Sequence, residues 1–265
     1  MKSANETSRV WKRPGFGSLL RAEALKSRHA APGRLAVILA LPFPLAALAI
    51  AILIPPIGLI FAPWNYWYAL LMPVTISLVT ASVANLDARM GNRVLLSSGV
   101  ALPRAWNAKV LWCLGLSSLS NLIVFALYAL GAVLSGDATG TLSMLAAALA
   151  VTVASSWMIP ATLFLTMRAG LLTGIFLPLA LQLVLDFAWS AVPFWPAFPP
   201  TATIMLPTAF LPVLPSGEPA SAGMALAESV SDVGLVATAL VVSAVFTALL
   251  SLAGARWLAR SEELR

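Results

Sequence analysis

The sequence is short of charge and short of reactive side chains. Only 10% of its 265 residues are charged, against roughly 25% in a soluble globular domain. Sixty per cent are apolar, and the mean hydropathy is +0.92. So little polar surface excludes a soluble enzyme, a disordered chain and a disulfide scaffold. A single cysteine, Cys113, excludes an intramolecular disulfide and a cysteine-based metal site. A single histidine, His29, excludes an H-E-x-x-H zinc site and a His-rich one. It lies in the basic N-terminal segment, away from any Ser-His-Asp arrangement. Lysine is scarce too: Lys2, Lys12, Lys26 and Lys109 are the four, and none follows a glycine. A phosphate-cradling G-x-x-x-x-G-K loop is therefore absent, and the chain does not hydrolyse ATP by that route.

What is present is apolar sequence in long runs. A helix needs about 20 apolar residues to cross the hydrocarbon core. Six stretches qualify, at about 35–61, 67–86, 110–134, 141–167, 171–190 and 234–255. The runs do not alternate polar and apolar residues as a closed barrel does. The expected fold is all-α: one polytopic membrane domain over 1–265, with six transmembrane helices. The first stretch is too long for a signal-peptide core and reads as a retained span.

The net charge is +6, and its distribution predicts orientation. With the N-terminus in the cytoplasm, the inner segments are 1–34, 87–109, the turn near Arg168, and 256–265. They hold eight, four, one and three Lys/Arg, which is all sixteen. The outer segments hold none, and their formal charges are Asp137, Glu218, Glu228 and Asp232. The positive-inside rule then places both termini in the cytoplasm. The basic balance is explained by a bilayer rather than by nucleic acid.

Three segments between the spans carry expectations. Residues 15–31 combine Phe16, Leu19, Leu20 and Leu25 with Arg21, Glu23, Lys26 and Arg28. That pattern predicts a short basic amphipathic helix on the inner membrane surface, or an ordinary basic arm. Residues 87–109 form the one long inner loop, with Val94, Leu95, Leu96, Val100, Leu102 and Trp106 set between charges. Apolar side chains of that density suggest a docking surface, or residues lying back on the bilayer and neighbouring helices. Residues 191–233 carry eight prolines, which exclude a long regular helix. Trp189, Phe194, Trp195 and Phe198 at its start read as an interfacial belt, or as an aromatic mouth.

Asp186 is the sole ionisable candidate inside a span, about 22 Å from the start of its stretch. Gln182 shares its helix face at i, i+4. The depth favours a hydrated interfacial carboxylate; the other reading is an outer cargo cleft of Gln182, Asp186, Trp189 and Trp195. With no buried relay, energy for transport has to come from another chain. Breaks are expected at Pro42, Pro44, Pro55, Pro56, Pro160 and Pro178. Close helix contacts are expected at Ser117, Ser118, Ser120, Ala237 and Ala244.

This layout resembles an ABC-2 type permease, and more narrowly the permease subunits of lantibiotic self-immunity ABC exporters. The local matches are Glu23-x-x-Lys26 before the first span, Trp64 to Trp67 leading into the second, and the loop Gly91 … Leu102-Pro103-Arg104 … Lys109. Trp195-Pro196 is a looser match. The resemblance implies two permease subunits, different or identical, worked by a cytoplasmic ATPase dimer that binds the ATP and Mg. It implies no cofactor in this chain. It also implies export of an amphipathic antimicrobial peptide through a bacterial cytoplasmic membrane. By position, the family's coupling helix falls on Arg89, Gly91, Val94, Leu95, Leu96, Leu102, Pro103 and Arg104. Phe16, Leu19, Leu20, Glu23 and Lys26 belong to the family's interfacial helix. Other cargo (a lipid, drug or polysaccharide) and a non-transporting scaffold or sensor are the alternatives. An intramembrane enzyme is disfavoured, because no His, Cys or carboxylate cluster exists to do chemistry.

Overall fold

The computed structural model describes residues 15–28, 30–54, 57–88, 101–221 and 223–263. Among them the only regular structure is helical, apart from one isolated bridge between Val213 and Pro219. Five helices are long and apolar enough to cross a membrane: Ala31–Leu53, Ala62–Asp87, Leu102–Leu134, Thr141–Ala169 and Val233–Arg260. A further apolar helix, Leu171–Phe187, has 17 residues. At 1.5 Å per residue it is about 25 Å long, a little under the 30 Å core.

Proline shapes the first two. The first is two helices, α2 (Ala31–Ala40) and α3 (Pro42–Leu53), broken at Leu41. Pro42 and Pro44 offer no N–H to Ile38 and Ala40, so the ladder cannot continue through them. The second begins earlier than its sequence suggests, with α4 (Ala62–Tyr66). It widens to a π-helix over Trp67–Leu71 and continues as α5 (Met72–Ala88). Pro73 has no N–H for the Ala69 carbonyl, which accounts for the widening at that point.

The third, α6, runs Leu102–Leu134. The inner loop expected over 87–109 is therefore helical from Leu102 onward. The fourth is α7 (Thr141–Ser155) and α8 (Met158–Ala169), parted at Ser156 and Trp157 because Pro160 has no N–H for Ser156. A turn at Gly170 leads into α9 (Leu171–Phe187). The last long helix, α12, runs Val233–Glu263.

The segment 191–233 is more closely packed than its composition suggests. Its prolines do prevent a long helix, and part of it folds into the bundle. The short α10 (Pro199–Met205) and the 3-10 turn Leu206–Ala209 enter the bundle. All ten residues 199–208 are buried, packed against α7, α9 and α12. Pro199 and Pro200 sit in the first turn, where an N–H would have no intrahelical partner. Burying that end therefore strands fewer donors. The short α11 (Ala225–Val230) returns the chain to α12.

The bundle has two unlike ends. The start of α6, the end of α8 and the end of α12 meet: Gly254 packs on Trp106, and Trp257 meets Phe164 edge-on at 5.0 Å. Every described Lys and Arg lies at that end. The other end is aromatic, with Trp64 4.4 Å from Tyr128 and Phe61 5.5 Å from Tyr128.

Two glycines permit close crossings. A Cβ on Gly254 would overlap the Trp106 indole, and one on Gly174 would stand 2.7 Å from the Thr166 nitrogen. Overpacking of this kind costs about 1–3 kcal/mol. Gly254→Leu should therefore lower the melting temperature in detergent, while Gly115→Leu, whose Cβ meets nothing within 4 Å, should not. Ser120 marks a third crossing, its hydroxyl donating to the Ala36 carbonyl at 2.8 Å.

Candidate functional site

Four charged side chains meet at the basic end. Glu23 and Lys26 come from α1 (Phe16–Ser27), Asp87 from the last turn of α5, and Lys109 from the second turn of α6. Lys26 donates to Glu23 Oε1 at 2.8 Å and to Asp87 Oδ1 at 3.1 Å. Lys109 donates to Glu23 Oε2 at 2.9 Å and pairs with Asp87 Oδ2. Each carboxylate thus receives two ammonium groups, and each ammonium two carboxylates. The ring is neutral as a whole, which is what makes burial of its members tolerable. Lys109 and Asp87 are 2% and 1% exposed.

Lys26 is half-buried. Burial opposes its charge, but the Glu23 and Asp87 carboxylates outweigh that and lift the ammonium above the ordinary lysine value. Lys26 therefore stays charged at neutral pH. A second clamp, Trp112 Nε1 to Ser27 Oγ at 2.9 Å, ties α1 to α6.

The ring adds a polar, protein-facing side to the helix expected over 15–31. The face turned to the protein is polar, with Glu23 and Ser27 buried and Lys26 partly so. Phe16 and Leu25 are exposed, and Leu19 and Leu20 are half-covered. An exposed apolar face suits a helix beside lipid; Glu23 and Lys26 turn to the bundle, while Arg21 stays exposed.

The expected coupling residues divide three ways. Arg89, Gly91, Val94, Leu95 and Leu96 lie outside the described residues, as do Val100 and His29. Leu102 is buried, as is Trp106, and both pack in the core. Neither is a docking side chain; they anchor the first turns of α6. Pro103 is half-buried and Arg104 exposed. The two stems of segment 89–100 are thus fixed by Asp87 on one side and by Leu102, Trp106 and Lys109 on the other.

The second polar centre is around Asp186. Gln182 Nε2 donates to both Asp186 oxygens, each at 3.0 Å, and to the Pro200 carbonyl at 3.0 Å. Trp157 Nε1 donates to Gln182 Oε1 at 3.1 Å. Gln182 and Asp186 are fully buried. Asp186 is therefore not a hydrated interfacial carboxylate. The short α10, which arrives from later in the chain, packs on α9 beside it through the Gln182–Pro200 bond. Nor does the expected cleft form as drawn: Trp195 is buried, Trp189 half-buried, and Phe194 and Phe198 point outward.

A third chain of bonds crosses the core. Trp67 Nε1 donates to Asn121 Oδ1 at 2.9 Å, and Asn121 Nδ2 donates to Thr152 Oγ1 at 2.9 Å. It links the π-helical segment to α6 and α7. Among the described residues no group of three or more His, Cys, Asp or Glu could hold a metal ion.

The sequence singled out Glu23, Lys26 and Lys109 without their pairing, and gave no role to Trp157 or to the Pro200 carbonyl. Asp87 and Lys109 did carry a signal. Each borders an apolar run, and a charge at the edge of a span has to be paired or hydrated.

No family model, curated protein or solved structure matches this chain.

Proposed function

We propose that the chain is the permease subunit of an ATP-driven ABC exporter in a bacterial cytoplasmic membrane. In this reading Leu171–Phe187 completes six spans, and the basic end, both termini and segment 89–100 face the cytoplasm. A cytoplasmic ATPase dimer binds ATP and Mg and docks on segment 89–100. A second permease subunit completes the pore, and the cargo is an amphipathic antimicrobial peptide expelled for self-protection.

The observation that carries the reading is the ring of Glu23, Lys26, Asp87 and Lys109. It braces both stems of segment 89–100 against α1. A push on that segment would reach three helices together instead of flexing a loop. The confinement of described cations to this end supports the orientation. The peptide cargo is supported by the sequence resemblance.

The test is purification of the native assembly in mild detergent, with identification of each polypeptide. A stoichiometric ATPase is expected, and Leu95→Asp with Leu96→Asp should abolish peptide-stimulated hydrolysis without loss of insertion. An ATPase consistently absent from the complex would favour a non-transporting scaffold.

A further inference from the structure

A groove of about 610 Å³ opens at the basic end between α1, α2 and α6. Arg21, Arg28 and Arg34 line it, and all three are exposed. Among the described residues none of them pairs with an acid, and no acidic residue lines the groove. Glu23 on α1 and Asp87 on α5, the nearby carboxylates whose side chains are described, are both taken by Lys26 and Lys109. The rest of the lining is mostly apolar. Leu25 and Ile38 stand open at 56% and 61% exposure. Trp112, whose N–H is already given to Ser27, closes the back with Leu116.

The order of these groups along α2 carries the argument. Arg34 lies in the first turn of Ala31–Leu53. Val37 and Ile38 follow one turn deeper, about 5–6 Å toward the membrane interior. Cationic groups therefore sit at the level where a span enters the bilayer, and an exposed apolar wall continues inward from them. A soluble anion would use the first part and leave the second bare. A phospholipid with a net negative headgroup uses both.

We propose that this groove is a binding site for an anionic phospholipid of the surrounding bilayer. The three guanidinium groups hold its phosphate, and Leu25, Val37 and Ile38 lie along one acyl chain. Planar guanidinium groups suit phosphate oxygens in bidentate geometry. A lipid held here seats α1 against α2 from the outside, as the charged ring holds α1 from the inside. The proposal rests on the membrane-spanning character of the helices and not on transport. It stands or falls separately from the exporter reading.

The test uses the full chain in detergent, with thermal unfolding measured against added lipid and lipid adducts counted by native mass spectrometry. Phosphatidylglycerol should raise the melting temperature and remain bound. Phosphatidylcholine of the same acyl chains, and inorganic phosphate at matched concentration, should not. Arg21→Gln, Arg28→Gln and Arg34→Gln should each weaken phosphatidylglycerol binding roughly fivefold. The triple variant should lose the stabilisation while keeping its melting temperature in phosphatidylcholine. If the triple variant does not fold, the three single variants give the same reading by adduct count. Equal binding of both lipids, stabilisation by inorganic phosphate alone, or undiminished adducts in the single variants would each overturn the proposal.

Discussion

Asp87→Leu should cost the folded chain about 3–5 kcal/mol, the usual consequence of leaving a buried charge without its partner. The substitution removes one acceptor from Lys26 and one from Lys109. Lys26 can turn toward water, since a quarter of its side chain is exposed. Lys109, at 2% exposure, cannot. Lys109→Met should cost a similar amount by leaving two carboxylates to one ammonium. The double variant Asp87→Leu with Lys109→Met should cost less than either alone. It leaves Lys26 and Glu23, a neutral pair 2.8 Å apart, and fills the vacated space with apolar side chains. A cost in the double variant that exceeds both singles, or an Asp87→Leu variant within about 0.5 kcal/mol of wild type, would show that the four groups do not act as a unit. Thermal unfolding in detergent separates these outcomes.

Gln182→Leu should be comparably severe, for a different reason. One side chain satisfies Trp157, Asp186 and Pro200 together. Leucine fills much of the same space and satisfies none of them. Each buried polar group left unmade costs about 1–3 kcal/mol, so the total should be several kcal/mol. The effect should be local as well as global, because the bond to Pro200 ties the start of α10 to α9. Amide exchange over residues 199–208 should accelerate relative to α6. Asp186→Asn keeps an oxygen for Gln182 to donate to and should cost about 1 kcal/mol. If Gln182→Leu leaves exchange of 199–208 unchanged, that segment is held by packing alone.

The contrast between these two centres shows what could be read from the chain. The long spans were legible because burial in lipid demands unbroken apolar length, and proline marked the breaks near Leu41 and Trp157 by chemistry alone. The basic ends were legible because charge is expensive inside a membrane. The ring was half legible. Glu23 and Lys26 are neighbours in sequence, but their pairing with Asp87 and Lys109 depends on how α1 folds back, which no local pattern encodes.

The buried stretch 199–208 was not legible. Pro199, Pro200 and Thr201 read as an external proline-rich stretch, since residues of that kind are usually exposed. Their burial depends on a socket formed by three distant helices. Asp186 was misplaced for the same reason, because the segment packed beside it arrives from later in the chain. For Leu102 and Trp106 the sequence left a docking surface and packing on neighbouring helices both open, because the start of α6 was placed at Val110 instead of eight residues earlier. Once α6 begins at Leu102, both fall on its buried face.

The claim beneath the functional reading is that segment 89–100 and the charged ring face the cytoplasm, where a separate ATPase can reach them. Thiol labelling in intact and permeabilised cells tests this directly, on a Cys113→Ser background that removes the one native thiol. Gly91→Cys should react with a membrane-impermeant maleimide only after permeabilisation, and Thr139→Cys should react in intact cells. Labelling of Gly91→Cys from outside intact cells, with Thr139→Cys protected, would contradict the account, since the motor would then stand on the wrong side of the membrane.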